Sequence, residues 1–314
     1  MKIRPLIFSV MIFLLTAISP NSVQAQDRVA NFEGCWNMTL HINGNRVPSW
    51  LEIKPWGHIR VGTFLHIGGY PRPLSVINVK NDHFNFAVPW ESEDNILKVT
   101  GTMVGDSLQG DIYYPNGTTY KWSAVRVPEL PYVKDPVWGA PIALFNGKNL
   151  DGWHARGNNQ WVVESGVLKS PKAGANLVSD MEFNDFKMHV EFRYPERGNS
   201  GVYLRGRYEV QIYDSYGTRP STDQLGSIFG FIAPNETVAK NAGEWQTFDI
   251  TLIGRRVTVA LNGSVIINDQ RLSAITGGAL DNNEDRPGPF MLQGDHHPIE
   301  FRNIVVTPRV PKSE

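Results

Sequence analysis

The sequence predicts an all-β protein: a small antiparallel β-barrel followed by a two-sheet jelly-roll sandwich. Short runs of alternating apolar and polar residues recur along the chain, and turn residues separate them. No stretch keeps a helical spacing of apolar residues over a dozen positions. A proline-rich segment divides the runs into two groups, which indicates two domains.

Residues 1–25 are predicted to form a secretory signal peptide. Lys2 and Arg4 precede an apolar run from Pro5 to Ala17, and Val23–Ala25 is a small-residue cleavage pattern. The run is too short for a spanning helix with these flanks, and no cysteine follows it to carry a lipid. We therefore expect export to the periplasm or the extracellular space, without a membrane anchor.

Composition argues against a nucleic-acid partner and against an internal disulfide. Removing the leader moves the formal net charge from −1 to −3, which provides no electrostatic footprint for nucleic acid. The single cysteine, Cys35, is interpreted as a buried thiol beside Trp36, with a reactive thiol as the alternative. About 290 residues remain, enough for two domains that each bury a core.

A linker is predicted at residues 128–141. Proline lacks a backbone donor and fixes φ, so this stretch can be neither a helix nor a central strand. We interpret it as an extended connection between a barrel domain, residues 26–127, and a jelly-roll domain, residues 142–310. The segment contains Pro128, Pro131, Pro136 and Pro141.

The first domain contains eight short runs that alternate in polarity. Asn43-Gly44 and Asn116-Gly117 are strong signals for tight hairpins, so we expect an antiparallel meander. Closure into a barrel would remove the exposed edges of such a sheet. The ends of the segment, GCW and WSAVRV, loosely resemble those of small lipocalin-like barrels. The runs are WNMTLHI, SWLEI, IRVGTFLHI, LSVINV, HFNFAV, LKVTGTMV, LQGDIYY and TYKWSAVRV.

The second domain is also rich in strand patterns. The clearest is VTVALNGSVIIND, in which Asn262-Gly263 joins two β-branched runs in a predicted type I′ hairpin. The number and length of the runs favour a two-sheet jelly roll over a smaller immunoglobulin-type sandwich. The other runs include WVVESGVLKS, FKMHVEFRY, SGVYLRGRYEVQIYD, WQTFDITLIGRR, FMLQ and IEFRNIVVTP.

Polar residues in this domain follow the period of two that separates the faces of a strand. Tyr203 and Arg205 alternate with apolar residues, and Glu209 and Gln211 do the same one strand later. Glu191 lies on the polar phase of another run. Such a face is either a solvated surface, paired by opposite charges, or the floor of a binding cleft.

Three observations favour the cleft. Glu, Arg, Gln and Tyr dominate the polar face, and these residue types hydrogen-bond sugar hydroxyls and stack on sugar rings. Glycines at 198, 201 and 206 interrupt the strands, as expected where a ligand approaches the backbone. The segment LQGDHHPIEFRN brings Gln293, Asp295 and His296 into one turn between strands.

Metal and cofactor chemistry are not predicted. Adjacent histidines on a turn, His296 and His297, rarely point at one ion, and no spaced pair matches a helical zinc motif. The acidic stretch Asp281–Gly288 lacks the ligand spacing of a calcium loop. The sequence also has no glycine-rich phosphate loop, GxSxG elbow or Cys/His pair.

Five blocks of the second domain, in order from about Ala143 to Pro308, resemble the 3-keto-disaccharide hydrolase domain family. The resemblance implies a concanavalin- or laminin-G-like jelly roll and cleavage of glycosides whose sugar has been oxidised at C3. Family members often carry glycine where this chain has His297. The blocks are LFNGKNLDGW, WVVESGVL, NSGVYLRGRYEVQIYDSYG, GEWQTFDITLIGRRVTVALNG and LQGDHHPIEFRNI.

The implied chemistry starts at C2 of the sugar, because a C3 ketone makes the C2 hydrogen acidic. A base removes that proton, the C1 substituent leaves by β-elimination, and water adds back, which gives net hydrolysis. Such a site needs a base, an acid for the leaving oxygen, and donors for the enolate oxygen. An ordinary glycosidase instead uses two carboxylates.

From the resemblance we assign Glu209 and His296 as the acid–base pair, in either order, and Arg205 as the enolate stabiliser. Gln211 and Asp214 would position sugar hydroxyls. Glu191 is a further substrate-binding candidate or a structural partner of an arginine. Tyr203 and Gln293 complete the predicted substrate-binding set.

The partner implied by this function is a carbohydrate substrate. A sugar 3-oxidoreductase acting upstream would hold the redox cofactor, so none is expected here. The alternative from another class is a non-catalytic glycan-binding module that uses the same face, because jelly-roll folds host both roles.

Overall fold

The computed structural model describes residues 32–90 and 92–312. The predicted signal peptide lies outside these ranges. Regular structure in them consists of β-strands, which confirms the predicted all-β class. Within the same ranges, no helix is long and apolar enough to span a membrane.

The first strands of the chain form a closed antiparallel barrel. They follow one another around it in chain order, and the last pairs with the first, Trp36 opposite Arg126. The strands are β1 (Gly34–Ile42), β2 (Asn45–Trp56), β3 (Ile59–Leu65), β4 (Arg72–Lys80), β5 (His83–Trp90), β6 (Ser92–Val104), β7 (Ser107–Tyr113) and β8 (Thr119–Arg126).

Large side chains at alternate positions fill the barrel. On β5, Phe84, Phe86 and Val88 are buried while the residues between them are exposed. Trp36 and Trp122 join them in one apolar cluster, with the Trp122 indole N–H donating to a backbone carbonyl. The barrel interior is therefore a packed core.

The rest of the chain forms the sandwich. Two short strands lie at the start of it, in and directly after the proline-rich segment. They are β9 (Val137–Trp138) and β10 (Ile142–Ala143). The remaining strands are β11 (Trp153–Ala155), β12 (Val162–Glu164), β13 (Val167–Ser170), β14 (Leu177–Phe183), β15 (Phe186–Arg193), β16 (Asn199–Leu204), β17 (Tyr208–Tyr213), β18 (Gln246–Ile253), β19 (Arg256–Leu261), β20 (Ser264–Arg271), β21 (Gly288–Leu292) and β22 (Ile299–Val310).

These strands form two antiparallel sheets. The large sheet has the order β12-β13-β22-β15-β18-β19-β20, with β9 and β10 also paired to β22. The small sheet has the order β11-β14-β21-β16-β17. The hairpin between β19 and β20 turns at Asn262 and Gly263, which have φ of 52° and 87°, as a type I′ turn requires. The inner faces of the two sheets share one apolar core.

The barrel packs directly onto the sandwich. Trp50 and Leu65 of the barrel belong to the sandwich core cluster, and the Trp50 ring meets Phe231 edge-on with centroids 6.0 Å apart. Asn37 and Asn282 each donate a side-chain hydrogen bond to a backbone carbonyl of the other domain, at 3.0 and 2.6 Å. The contact therefore combines apolar burial with paired polar groups.

Candidate active site

The candidate active site is a cavity of about 250 Å³ on the outer face of the small sheet. Tyr203 of β16 and Glu209 and Gln211 of β17 line it. Neighbours of the opposite phase, including Val202 and Val210, belong to the sandwich core. The period of two therefore separates a polar cavity floor from an apolar core.

Glu209 is buried in the floor of the cavity. Burial raises the pKa of its carboxyl group to about 8, although the Tyr203 hydroxyl and the charge of His296 act in the opposite direction. Tyr203 Oη lies 2.9 Å from Glu209 Oε2. With the Gln211 amide oriented so that its nitrogen faces acceptors, Nε2 donates to Glu209 Oε1 at 3.1 Å and to Ser200 O at 3.0 Å. Both carboxyl oxygens are thus held in place.

Gly201 provides the space that the Glu209 carboxyl group occupies. The glycine lies on β16 opposite Gln211, one pair away from Tyr203 and Glu209. A Cβ atom at position 201 would be 2.4 Å from Glu209 Oε1, well inside van der Waals contact. A side chain here would displace the acid, so the buried acid requires this glycine.

His296 lies in the turn between β21 and β22 and lines the same cavity. Its Nδ1 is 2.5 Å from Asp295 Oδ1, and this hydrogen bond raises the pKa of His296 despite partial burial. Asn176 Nδ2 donates to Asp295 Oδ2 at 3.3 Å and holds the carboxylate from the other side. Because Asp295 uses Nδ1, Nε2 is the nitrogen available to a ligand. The charges of His296 and Glu209 act on each other's pKa, which makes them one electrostatic unit.

A cap segment, residues 276–280, closes another side of the cavity. Gly277 and Gly278 line it, and Gly277 O lies 2.8 Å from Tyr203 Oη. A Cβ atom at Gly278 would be 2.7 Å from the same hydroxyl. The cap therefore approaches the catalytic floor at backbone distance.

Arg207 anchors the cap segment. This arginine is buried, and its carbonyl accepts from Thr276 N at 2.9 Å. Its guanidinium donates to Asp281 Oδ1 at 2.7 Å and to Arg286 O at 2.8 Å. Charge in the turn between β16 and β17 thus serves the loop above the cavity.

Several wall residues escaped the sequence reasoning because they come from loops. Asn176 precedes β14, and Asn199 begins β16. Phe229 belongs to a segment that pairs with the outer edge of β17, where Phe229 N donates to Glu209 O at 3.1 Å. Only the tertiary pairing brings these residues to the floor.

Gln293 offers an unused acceptor. Its backbone N–H donates to Gly201 O at 2.9 Å, which places the residue beside the cavity floor. Its side-chain Oε1 is buried and has no hydrogen-bond partner in the described part of the chain. Buried polar atoms are normally paired, so this oxygen is suited to accept from a ligand hydroxyl.

The barrel supplies part of the wall as well. Gly68 and Gly69, in the connection between β3 and β4, line the cavity. Gly278 N donates to Ile67 O at 3.1 Å, and a Cβ atom at Gly277 would lie 2.6 Å from Gly69 O. No role in the site was predicted for the barrel.

Arg205 is not brought to the cavity. The alternation of β16 ends at Leu204, and Arg205 and Gly206 form a turn with φ of 52° and 67°. The Arg205 guanidinium is buried, donates to Gly254 O at 2.6 Å and lies over the Tyr208 ring. Extending the strand phase through this turn misplaced the side chain, so the predicted contact with an enolate has no geometric support.

Two predicted substrate-binding residues also lie elsewhere. Glu191 is on β15 of the large sheet, where it accepts from Arg302 Nε at 2.6 Å. The outer faces of the two sheets point in opposite directions, so Glu191 cannot share the cavity. Asp214 follows β17, is absent from the described cavity lining and accepts from Arg197 N at 2.9 Å.

A larger depression, of about 500 Å³, lies at the edge of the large sheet and is less suited to chemistry. Its walls are mainly apolar, and its charged groups are already paired with each other, for example Lys169 with Glu164 at 3.0 Å. The smaller cavity instead combines a raised carboxyl pKa, a histidine and an unpaired acceptor. Perturbed titratable groups of this kind mark functional sites.

The fold and the cavity together define a class: an all-β sandwich protein with a polar pocket that pairs a buried acid with a histidine. Residues 140–307 match the family model of the 3-keto-alpha-glucoside-1,2-lyase-like domain. The match covers just over half of the chain, and the chain belongs to this family. The resemblance seen in the sequence is confirmed.

Individual relatives are more distant. A 3-keto-disaccharide hydrolase from Bacteroides thetaiotaomicron is 27% identical over 113 residues, which are 32% of this chain and 37% of that protein. The chain thus matches little more than a third of the length of this curated relative. A solved candidate glycosyl hydrolase from Parabacteroides distasonis is 30% identical, with 56% of this chain and 92% of that one covered and a TM-score of 0.46. Another from the same organism is 24% identical, with 54% and 98% covered and a TM-score of 0.44.

Proposed function

We propose that this protein is an exported enzyme that cleaves glycosides of 3-keto sugars by elimination and hydration. The observation that carries the proposal is the pairing of Glu209 and His296 in one small polar cavity. Family membership and the name of the Bacteroides relative support the substrate class. The signal-peptide pattern supports export.

His296 is the base in this proposal. Asp295 accepts from Nδ1–H, so the neutral ring presents the lone pair of Nε2 to the cavity. The hydrogen bond also fixes the ring orientation and stabilises the imidazolium that forms when Nε2 takes the C2 proton. The histidine thus combines an available lone pair with a pKa near neutrality.

Glu209 is the acid, because its surroundings favour a proton on it. Tyr203 Oη lies 2.9 Å from Glu209 Oε2 and 2.8 Å from Gly277 O, yet the hydroxyl has one hydrogen. Gly277 O can only accept. If Tyr203 donates to it, Glu209 must donate to Tyr203, which requires a protonated carboxyl group. A pKa of about 8 agrees with this arrangement.

The reaction then balances in two stages. In the first, His296 Nε2 takes the C2 proton, the C1–O bond breaks, and Glu209 protonates the leaving oxygen, which gives an unsaturated 3-keto sugar and a free alcohol. In the second, Glu209 takes a proton from water as its oxygen bonds to C1, and His296 returns a proton to C2. Both residues end in their starting states, as catalysis requires.

The enolate oxygen must be stabilised without an arginine. The described residues that line the cavity include no lysine or arginine, because Arg205 is bound elsewhere. Side-chain amides of Asn176 and Asn199 are present, and the imidazolium of His296 adds a positive charge as the enolate forms. Preorganised donors in a water-poor cavity are effective in this role. Gln293 Oε1 would accept from a sugar hydroxyl.

The substrate's chemistry sets the enzyme's place in a sequence of reactions. A C3 ketone must be made by oxidation of a secondary alcohol, so a sugar 3-oxidoreductase has to act first and would hold the redox cofactor. The elimination and hydration steps leave the oxidation state of the sugar unchanged overall.

The test compares a 3-keto-disaccharide with its unoxidised parent and measures release of free sugar. We expect turnover of the keto compound alone, a primary isotope effect when C2 carries deuterium, and solvent deuterium at C2 of the product. Glu209→Gln and His296→Ala should each lower turnover at least about 100-fold. Binding of both sugars without turnover of either would instead indicate a glycan-binding protein.

A further inference from the structure

The loop that connects β3 and β4 of the barrel reaches past the cavity wall to its rim. Gly68 and Gly69 line the cavity, and Tyr70 follows them directly. The Tyr70 ring packs against Phe229 with centroids 4.7 Å apart, and its hydroxyl donates to Asp223 Oδ2 at 3.1 Å. The barrel therefore places an oriented aromatic ring beside the site.

This aromatic pair is next to the reacting groups. Phe229 itself lines the cavity, and its backbone N–H donates to Glu209 O at 3.1 Å. Tyr70 remains 45% exposed although one face meets Phe229 and the hydroxyl is bonded. An anchored, half-open aromatic face next to an active site is a surface built for contact with a ligand.

The polar floor continues outwards beneath this pair. Glu209, Gln211 and Tyr213 occupy alternate positions of β17 and so share one face. Each step of two residues spans about 6.6 Å, so the row is about 13 Å long. That length exceeds one sugar ring, and Tyr213, at the outer end, is 37% exposed.

Tyr213 and Tyr70 belong to the same neighbourhood. Burial and Asp223 raise the pKa of Tyr70 to about 12, and the charges of Tyr213 and Glu209 contribute. The barrel tyrosine thus stands within electrostatic reach of both ends of the row. Floor, rim and barrel loop together outline a channel that leads from the acid to solvent.

We propose that Tyr70, Phe229 and Tyr213 form a subsite for a second sugar ring, the one that leaves when the glycosidic bond breaks. C–H bonds on the face of a pyranose pack well on aromatic rings, whose faces are electron-rich. The ring next to the cleaved bond has to lie beside Glu209, which protonates its oxygen. This inference rests on the proposed function and makes the barrel a determinant of leaving-group specificity.

The test measures a ratio rather than a single rate. kcat/KM is determined for a 3-keto-disaccharide and for the methyl 3-keto-glucoside, which shares the oxidised ring but lacks the second. For Tyr70→Ala we expect this ratio to fall about five- to tenfold, mainly through KM of the disaccharide. Tyr70→Phe keeps the ring and should restore most of the ratio.

Two controls separate the possible results. Trp56→Ala removes another barrel aromatic, 70% exposed and outside the cavity lining, and should leave both substrates unaffected. Melting temperatures of all variants check folding. An equal effect of Tyr70→Ala on both substrates, or no effect on either, would overturn the subsite. Failure of the unaltered protein to cleave either substrate would instead overturn the proposed function.

Discussion

Asp295 Oδ1 lies 2.5 Å from His296 Nδ1, and the two residues are neighbours in the chain. The contact raises the pKa of the histidine. For Asp295, burial acts against ionisation, but the hydrogen bond and charge of His296 keep its pKa below the ordinary value. Together with a Glu209 pKa of about 8, these shifts move an acid and a base into the same neutral range.

The rate should depend on pH as a bell. His296 works as a base only when neutral, so kcat/KM should fall as pH drops through its pKa, which lies above 6.5. Glu209 works as an acid only when protonated, so kcat/KM should fall as pH rises through about 8. The measurement is kcat/KM for a 3-keto-disaccharide from pH 5 to pH 10. A rate that keeps rising above pH 9 would contradict the role of Glu209.

Replacing Asp295 should move one limb of that profile. Asp295→Asn removes the charge that raises the pKa of His296, so the acid limb should shift to lower pH. The maximal rate should also fall about 10²- to 10⁴-fold, since the ring loses the partner that selects its tautomer. The alkaline limb should move little by comparison. An unchanged acid limb would show that another group is the base.

The buried acid should cost stability at alkaline pH. Between about pH 4.5 and 8 the folded protein keeps a proton on Glu209 that the unfolded chain releases. The free energy of unfolding then falls as pH rises, by up to about 1.4 kcal/mol per pH unit. Glu209→Gln lacks this penalty, so it should melt above the unaltered protein at pH 9 and lose the advantage near pH 5.

Glu191 provides a matched control of opposite sign. Burial works against its ionisation, but hydrogen bonds from Asn303 and Arg302 lower its pKa overall. Its stabilising effect is therefore present above its unfolded pKa and is lost as pH falls through the folded one. Glu191→Gln should melt below the unaltered protein at pH 9. A lower melting temperature of Glu209→Gln at pH 9 would contradict its raised pKa.

Local pattern carried much of the fold into the prediction. Each predicted run of the barrel corresponds to a strand, since alternation and turn residues are local signals. Period two also identified the face that holds Tyr203, Glu209 and Gln211. β14 was not predicted, because its burial runs in blocks instead of alternating.

The remaining site residues depend on long-range geometry. Alternation tells which face of a strand Glu191 occupies but not which of two sheets the strand joins. Arg205 follows a strand end that only its positive φ reveals. The cap glycines and the barrel loop reach the cavity through contacts between segments about 200 residues apart, such as Gly278 with Ile67. No sequence window contains that information.

A structural role for Arg205 predicts a change in stability with little change in rate. Arg205→Met keeps the alkyl stem but leaves Gly254 O without its 2.6 Å donor. The loss should be about 1–3 kcal/mol in the free energy of unfolding, measured by denaturant titration. Well below the melting temperature, kcat/KM should stay within a few-fold. A loss of 100-fold or more would restore Arg205 to the chemistry.

The contact between cap and barrel loop should be essential for the cavity. Gly277 leaves no room for a side chain, because a Cβ atom would lie 2.6 Å from Gly69 O and 2.7 Å from Gly69 N. Both neighbours are backbone atoms, so Gly277→Ala must push the two segments apart. Tyr203 Oη would then lose its 2.8 Å acceptor at Gly277 O. We expect kcat/KM to fall by up to about 100-fold.

Hydrogen exchange would locate that change. Gly278 N donates to Ile67 O at 3.1 Å across the same contact, so its amide should exchange faster in Gly277→Ala. Amides of the β19–β20 hairpin, which turns at Gly263, report global stability and should keep their rates. Gly263→Ala is the control substitution, because a Cβ atom there meets nothing within 4 Å although its φ of 87° is strained. It should lower stability without lowering kcat/KM. Equal loss of activity in both variants would mean that general destabilisation, and not the cap contact, lowers the rate.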